Sequence, residues 1–254
     1  MSHLTGNSLV FATNKKHLWD LVRDIIMIKG HNCDLNHVDV SRIDDFSMLF
    51  SSLQFTGDVS KWNVSRGVDF SGMFEQSHFD GDLSRWNVSN AKNMSFMFSQ
   101  CPFNNNSLAF WDVSNVRNMH WMFRKNTAFN QDLKNWNTIK LQDVSKMFNG
   151  APYTHDISSW QWNAVSAIEG MLDIKSLVNI PNPNVYHWYC LLKDIDCLWG
   201  HPKEKQLMKH ASGLSNIVEG LGLSLIQAAQ WLDTKWNAPM AIKPDIIGLP
   251  ALGD

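Results

Sequence analysis

The chain carries no excess of charge of either sign: 22 lysines and arginines stand against 24 aspartates and glutamates, a formal −2. A nucleic-acid binder presents a basic stripe. None stands out, and nothing here would hold an anionic lipid surface. Cysteine is scarce as well. Cys33, Cys101, Cys190 and Cys197 contain no Cys-x-x-Cys pair, and spacing alone does not establish a Cys190–Cys197 bridge. They read as reduced, small apolar fillers. No run of about 18 apolar residues is present to span a membrane, and the N-terminus lacks the basic-then-apolar run of a signal peptide. A cytoplasmic protein without membrane contact is therefore expected, with surface exposure by another route as the alternative. Gly-x-Ser-x-Gly, His-Glu-x-x-His and P-loop motifs are missing too. Asp194-Ile-Asp196 stands alone, and Glu219-Gly-Leu-Gly-Leu lacks the further glycine and preceding strand of a dinucleotide loop. The expectation is a non-enzyme with no catalytic residues and no cofactor.

What the chain does have is repetition. Phe55–Phe74 reads FTGDVSKWNVSRGVDFSGMF, and Phe79–Phe98 reads FDGDLSRWNVSNAKNMSFMF. Aligned on Leu49-Phe50, Met73-Phe74, Met97-Phe98, Met122-Phe123, Met147-Phe148 and Met171-Leu172, the steps are 24, 24, 25, 25 and 24 residues. Trp62, Trp86, Trp111, Trp136 and Trp160 keep the same pitch. A fixed period in the twenties is the mark of a solenoid, in which each unit covers its neighbour's apolar face. The recurring Trp, Met and Phe are then stacked core.

Within a unit, Val59 and Trp62 to Val64 read as a short strand bounded by turn residues. Phe70, Met73 and Phe74 stand at i, i+3, i+4, as do Met94, Met97, Phe98 and Met119, Met122, Phe123, which predicts one or two turns of helix. Asp45, Asp69, Asn93, Asn118 and Asp143 precede these stretches as candidate N-caps. A further column, Asp58, Asp82, Asp132 and Asp156 with Asn105 or Asn106, could stack carboxylates around calcium. It lacks the glycine-rich pattern of calcium solenoids, and such turn carboxylates ordinarily accept backbone N–H groups. No metal site is assigned.

The pattern F-x-G-D-[VL]-S-x-W-N-V-S-x-x-x-x-M-S-x-M-F resembles the BspA-type leucine-rich repeat, also common in mycoplasma surface lipoproteins. The likeness covers residues 30–172 and includes the opening segment GHNCDLNHVDVSRIDDFSMLF, Gly30–Phe50. It implies a right-handed solenoid whose job is recognition, frequently adhesion to other proteins, with no catalytic residues to carry over. Residues 175–254 do not share the repeat.

The expected architecture is an α/β repeat solenoid, with short parallel strands and short helices in each 24–25-residue unit. Residues 1–34 hold an N-terminal capping helix, 35–174 the solenoid, and 175–254 an α-helical C-terminal region. Residues 15–29, KKHLWDLVRDIIMIK, place Leu18, Leu21, Val22 and Ile25 on one face, with Asn14 as N-cap and Gly30 past the end. Beyond the Ile180–Asn184 boundary, Ser224 and Gln227 form a capping box. His187, Cys190, Cys197 and His201 superficially suggest zinc. On one helix His187 and His201 would lie about 21 Å apart at 1.5 Å per residue, too far to share an ion.

If the repeats are scaffold, function sits where units differ. The slot before the second Met or its equivalent holds Gly72, Phe96, Trp121 and Lys146. At about 100° per residue Phe96 points about 200° from Met94, away from the core, and Trp121 takes the same slot one unit on. His120, Arg124 and Lys125 flank it. Aromatics with arginine are the composition of an interface hot spot, so Phe96, His120, Trp121, Arg124 and Lys125 are the candidate partner-binding residues. The expected function is binding another protein, as an intracellular inhibitor or effector of bacterial or phage origin. A surface adhesin or glycan binder is one alternative, and an enzyme with its site in residues 175–254 is another.

Overall fold

The computed structural model describes residues 9–171, apart from 156, 158, 162–163 and 168–169. The expectations for residues 175–254, including the zinc-like set, lie outside the described residues. The chain opens with strand β1 (Val10–Phe11), helix α1 (Lys15–Lys29) and strand β2 (Val38–Asp39), with β1 and β2 paired in parallel. The Asn14 side chain accepts from the His17 N–H at the start of α1. Gly30, at φ 87°, closes the other end by donating its N–H to the Ile26 carbonyl. Leu18, Val22, Ile25 and Ile26 bury into the same apolar core as the repeats.

After β2 the chain repeats one backbone pattern. Phe46, Met48, Phe50 and Ser52 donate their N–H groups to the carbonyls of Asp69, Ser71, Met73 and Glu75, at 2.8–2.9 Å. The residues between them turn inward: Leu49, Ser51 and Leu53 donate to carbonyls three residues back in their own unit. The next unit does the same, from Phe70, Gly72, Phe74 and Gln76 to Asn93, Ser95, Met97 and Ser99. Parallel bridges run Asp45–Asp69–Asn93–Asn118–Asp143–Ala167. Neighbouring units are thus bonded to one another at the 24–25-residue period of the sequence.

Two local expectations are corrected. Residues 70–74, 94–98 and 119–123 are successive turns, and among the described residues the α-helix is α1. An α-helix needs each N–H to reach four residues back, whereas here alternate N–H groups are committed to the next unit. The third residue of the turn is left-handed in every unit: Met48 (φ 60°), Gly72 (59°), Phe96 (61°), Trp121 (59°), Lys146 (54°) and Gly170 (59°). The helical spacing arises because consecutive turns also return side chains inward every three or four residues. Likewise Val59 to Val64 is turn and loop, with the Trp62 N–H bonded to the Val59 carbonyl. The inter-unit bridges form instead at the Asp/Asn column.

That column does cap, in the manner of an Asx turn. Asp45, Asp69, Asn93, Asn118 and Asp143 each accept the N–H two residues on. Asp58, Asp82, Asn105 and Asp132 do so in the carboxylate column singled out for calcium. Burial opposes the charge on Asp45 and Asp58, but the hydrogen bonds from Lys15 and Ser47 to the first, and from Ser60 to the second, outweigh it and hold both carboxyls below the usual range. Lys15 of α1 sits 2.9 Å from Asp45, tying the helix to the first unit.

The core is a set of aromatic columns. Phe50, Phe74, Phe98, Phe123 and Phe148 stack with ring centroids 5.3–5.7 Å apart, close to the ~4.8 Å separation of bonded strands. Phe55, Phe79, Phe103, Phe129 and Tyr153 form a parallel column, each ring 3.7–4.3 Å from its partner in the first. The five repeat tryptophans are buried at 1–5% exposure. Each donates its indole N–H to a carbonyl one unit back: Trp62 to Leu35, Trp86 to Val59, Trp111 to Leu83, Trp136 to Leu108 and Trp160 to Leu133. An indole in a dry core needs such a partner, and the ladder of units supplies one at every step.

Trp86→Phe keeps a ring but removes one of the two donors to the Val59 carbonyl, which retains the Trp62 N–H. It should cost about 0.5–1.5 kcal/mol for the lost hydrogen bond, read as a lower urea midpoint at unchanged slope. Burial pushes the Cys101 thiol up to about 11, beside Ser77 and the Phe79 carbonyl. Alkylation at neutral pH followed by peptide mass spectrometry should find Cys101 unmodified in the folded chain and modified in urea.

Candidate interaction face

The left-handed slot is where glycine is cheapest. An L-residue there costs roughly 1–2 kcal/mol from the approach of Cβ to its own carbonyl, and Gly72 and Gly170 avoid that cost. The units between them do not. Phe96 and Trp121 hold large side chains at φ 61° and 59°, and Lys146 a long one at 54°. Side chains in this slot project away from the buried columns, because the residues on either side, such as Met97 and Phe98, turn into the core.

The structure brings four of the five candidate residues into direct contact. Phe96 meets Trp121 edge-on at 5.1 Å and His120 edge-on at 5.3 Å, while His120 stacks on Trp121 at 5.0 Å. The Arg124 guanidinium lies 4.1 Å over the Trp121 ring, a cation–π contact. Lys146, which the sequence places in the slot one unit on, approaches the same ring at 6.0 Å. Lys125 is exposed; its own backbone is left-handed and donates to the Asn149 carbonyl. Phe96, His120, Trp121 and Arg124 are half-buried, so they form a semi-enclosed cluster in place of the fully outward side chains that helical geometry predicts.

The supports of the cluster come from the same ladder. His120 Nδ1 sits 2.6 Å from Ser145 Oγ and 3.9 Å from Asp143, which sets its ring plane. At the cluster, Trp121 Nε1 and the hydroxyl of fully buried Ser99 have no hydrogen-bond partner among the described residues. Ser99 occupies the row between Glu75 and Arg124. Burial raises the Glu75 carboxyl, and the charge of Arg124 partly offsets it. Among the described residues no carboxylate lies within 4 Å of Arg124, Lys125 or Lys146, and no three His, Cys, Asp or Glu side chains gather as metal ligands. No helix there is long and apolar enough to cross a membrane.

The left-handed backbone went unread in the sequence, although its signal is present. Glycine stands at 72 and 170 in this slot and at 150 in a second left-handed column with Ser52, Gln76, Gln100 and Lys125. If Phe96 is strained by its backbone, Phe96→Gly should be about 1 kcal/mol more stable than Phe96→Ala. The same order should hold at Trp121, measured by denaturant unfolding. Equal stability of the paired variants would mean that the slot carries no strain.

No curated protein and no solved structure matches this chain. The family described as "Mycoplasma protein of unknown function, DUF285" matches residues 20–109 and again 101–185, which together take in most of the helix, the ladder and the aromatic columns. Over more than half its length, the chain belongs to that mycoplasma-associated repeat family.

Proposed function

We propose that this is a non-enzymatic solenoid of the BspA-type leucine-rich-repeat kind, which binds a protein partner through the face carrying Phe96, His120, Trp121, Arg124 and Lys125. Support for the solenoid comes from the constant pitch and from the hydrogen bonds that each unit gives the next. The binding reading rests on one observation. Two adjacent units place Phe96 and Trp121 in a backbone slot that disfavours any side chain, and leave them half-exposed beneath an arginine that no carboxylate among the described residues approaches within 4 Å. Strain of this kind persists where the surrounding structure enforces it and tends to collect at functional sites. A tryptophan–arginine pair is the side-chain chemistry that dominates protein interfaces. The inhibitor or effector role is part of the same proposal.

Immobilised wild-type chain should retain a protein from a cell lysate that the Phe96→Ala/Trp121→Ala chain does not, with the two chains melting at similar temperatures. Equal retention by both chains would refute the reading. A large drop in melting temperature would assign the two rings to the core instead.

A further inference from the structure

The rings stand where the ladder carries positive charge. Take the stretch from four residues before the left-handed position to four after it. In the units of Phe96, Trp121 and Lys146 these are residues 92–100, 117–125 and 142–150, which hold Lys92, Arg117, Arg124, Lys125 and Lys146 against Asp143. Five bases and one acid leave +4, in a chain whose formal charge is −2. The same stretches of the two preceding units, residues 44–52 and 68–76, reverse the sign. They hold Asp44, Asp45, Asp69 and Glu75 and no lysine or arginine.

Two of these charges gather on one ring. The Arg124 guanidinium lies 4.1 Å over Trp121, and the Lys146 ammonium lies 6.0 Å from the same ring centre. Lys125, next along the chain, is exposed. Stacking uses the flat face of a guanidinium and leaves its N–H edge, the part that pairs with a carboxylate through two parallel hydrogen bonds. Among the described residues no carboxylate comes within 4 Å of Arg124, Lys125 or Lys146. Asp143 bonds Ser145 and lies 3.9 Å from His120. Glu75, two units away, feels the charge of Arg124 without pairing with it. The chain therefore holds cations beside exposed rings and leaves them without counter-charges.

We infer that the partner presents a short acidic protein segment to this face, with carboxylates on Arg124 and Lys146 beside the Trp121 ring. This rests on the protein-binding reading of the same face and names what its partner carries. The length of the basic stretch selects a short segment. Three units at ~4.8 Å per step span about 10 Å, which roughly three residues of extended peptide cover at ~3.3 Å each. A nucleic-acid strand or an anionic lipid surface laid further along the ladder would meet Asp69 and Glu75, which repel it. Opposite charges across an interface set encounter rate and partner choice more than affinity, and the rings supply the contact area.

Selection of a random dodecapeptide library on the immobilised full 254-residue chain tests the inference. Wild type should enrich peptides with about twice the Asp and Glu content of the unselected library. Arg124→Glu/Lys146→Glu should reverse the preference toward Lys and Arg, whereas a chain that merely failed to fold would lose enrichment without reversing it. For the most enriched peptide, Arg124→Gln should weaken binding about tenfold by fluorescence anisotropy, and added salt should weaken wild-type binding. Enriched peptides without acidic bias, no enriched peptide at all, or a bias that survives Arg124→Glu/Lys146→Glu would each overturn the acidic-segment assignment. Unbiased peptides that Phe96→Ala/Trp121→Ala loses would leave the binding face standing, while peptides that this variant keeps would refute the face itself. Tighter retention of single-stranded DNA or of phosphatidylserine vesicles than of the peptide would overturn the assignment in favour of a polyanion.

Discussion

The structure depends on how each unit divides its backbone N–H groups. Alternate donors, such as those of Phe70, Gly72, Phe74 and Gln76, go to the next unit, and those between them close turns within their own. Neither an α-helix nor an extended strand divides its donors this way. The division forces a left-handed residue into every unit, and it makes each unit depend on its neighbour for half of its hydrogen bonds in the turn segment. A unit alone would leave those groups unpaired in an apolar setting, at a cost comparable to the lost bonds.

Once units are bonded at about the strand spacing, the packing follows. Rings repeated at one sequence position come to lie one above another at 5.3–5.7 Å, as in the column from Phe50 to Phe148. The buried tryptophans then face a carbonyl of the preceding unit at a recurring place, which resolves the one polar atom each brings into the core. The Asx turns do the same for the loop N–H groups without help from distant residues. Helix α1 joins this core through Leu18, Val22, Ile25 and Ile26 and is pinned by Lys15 on Asp45.

The candidate face arises from the same constraint. A left-handed position suits glycine, and the chain uses glycine there in some units. Filling the slot with Phe96 and Trp121 gives up stability for two rings held away from the core, on a rigid scaffold, with Arg124 clamped over one of them. Loop-like recognition positions on a stiff frame are where binding residues usually collect.

Much of this was legible without coordinates. The 24–25-residue period, the identity of the core residues, helix 15–29 with Asn14 and Gly30 at its ends, and the distinctive Phe96–Trp121 slot all follow from side-chain chemistry and spacing within a few residues. The turn-for-helix substitution did not, because Phe70, Met73 and Phe74 read alike in both: each returns apolar groups inward every three or four residues. What separates the two is the destination of an N–H group, and that destination is a carbonyl 23 or 24 residues away. The sequence by itself determined which residues repeat and which of them are apolar. Only the tertiary structure decided the backbone conformation at 48, 72, 96, 121 and 146 and the half-burial of the rings there, since both are set by contact between units that are distant along the chain.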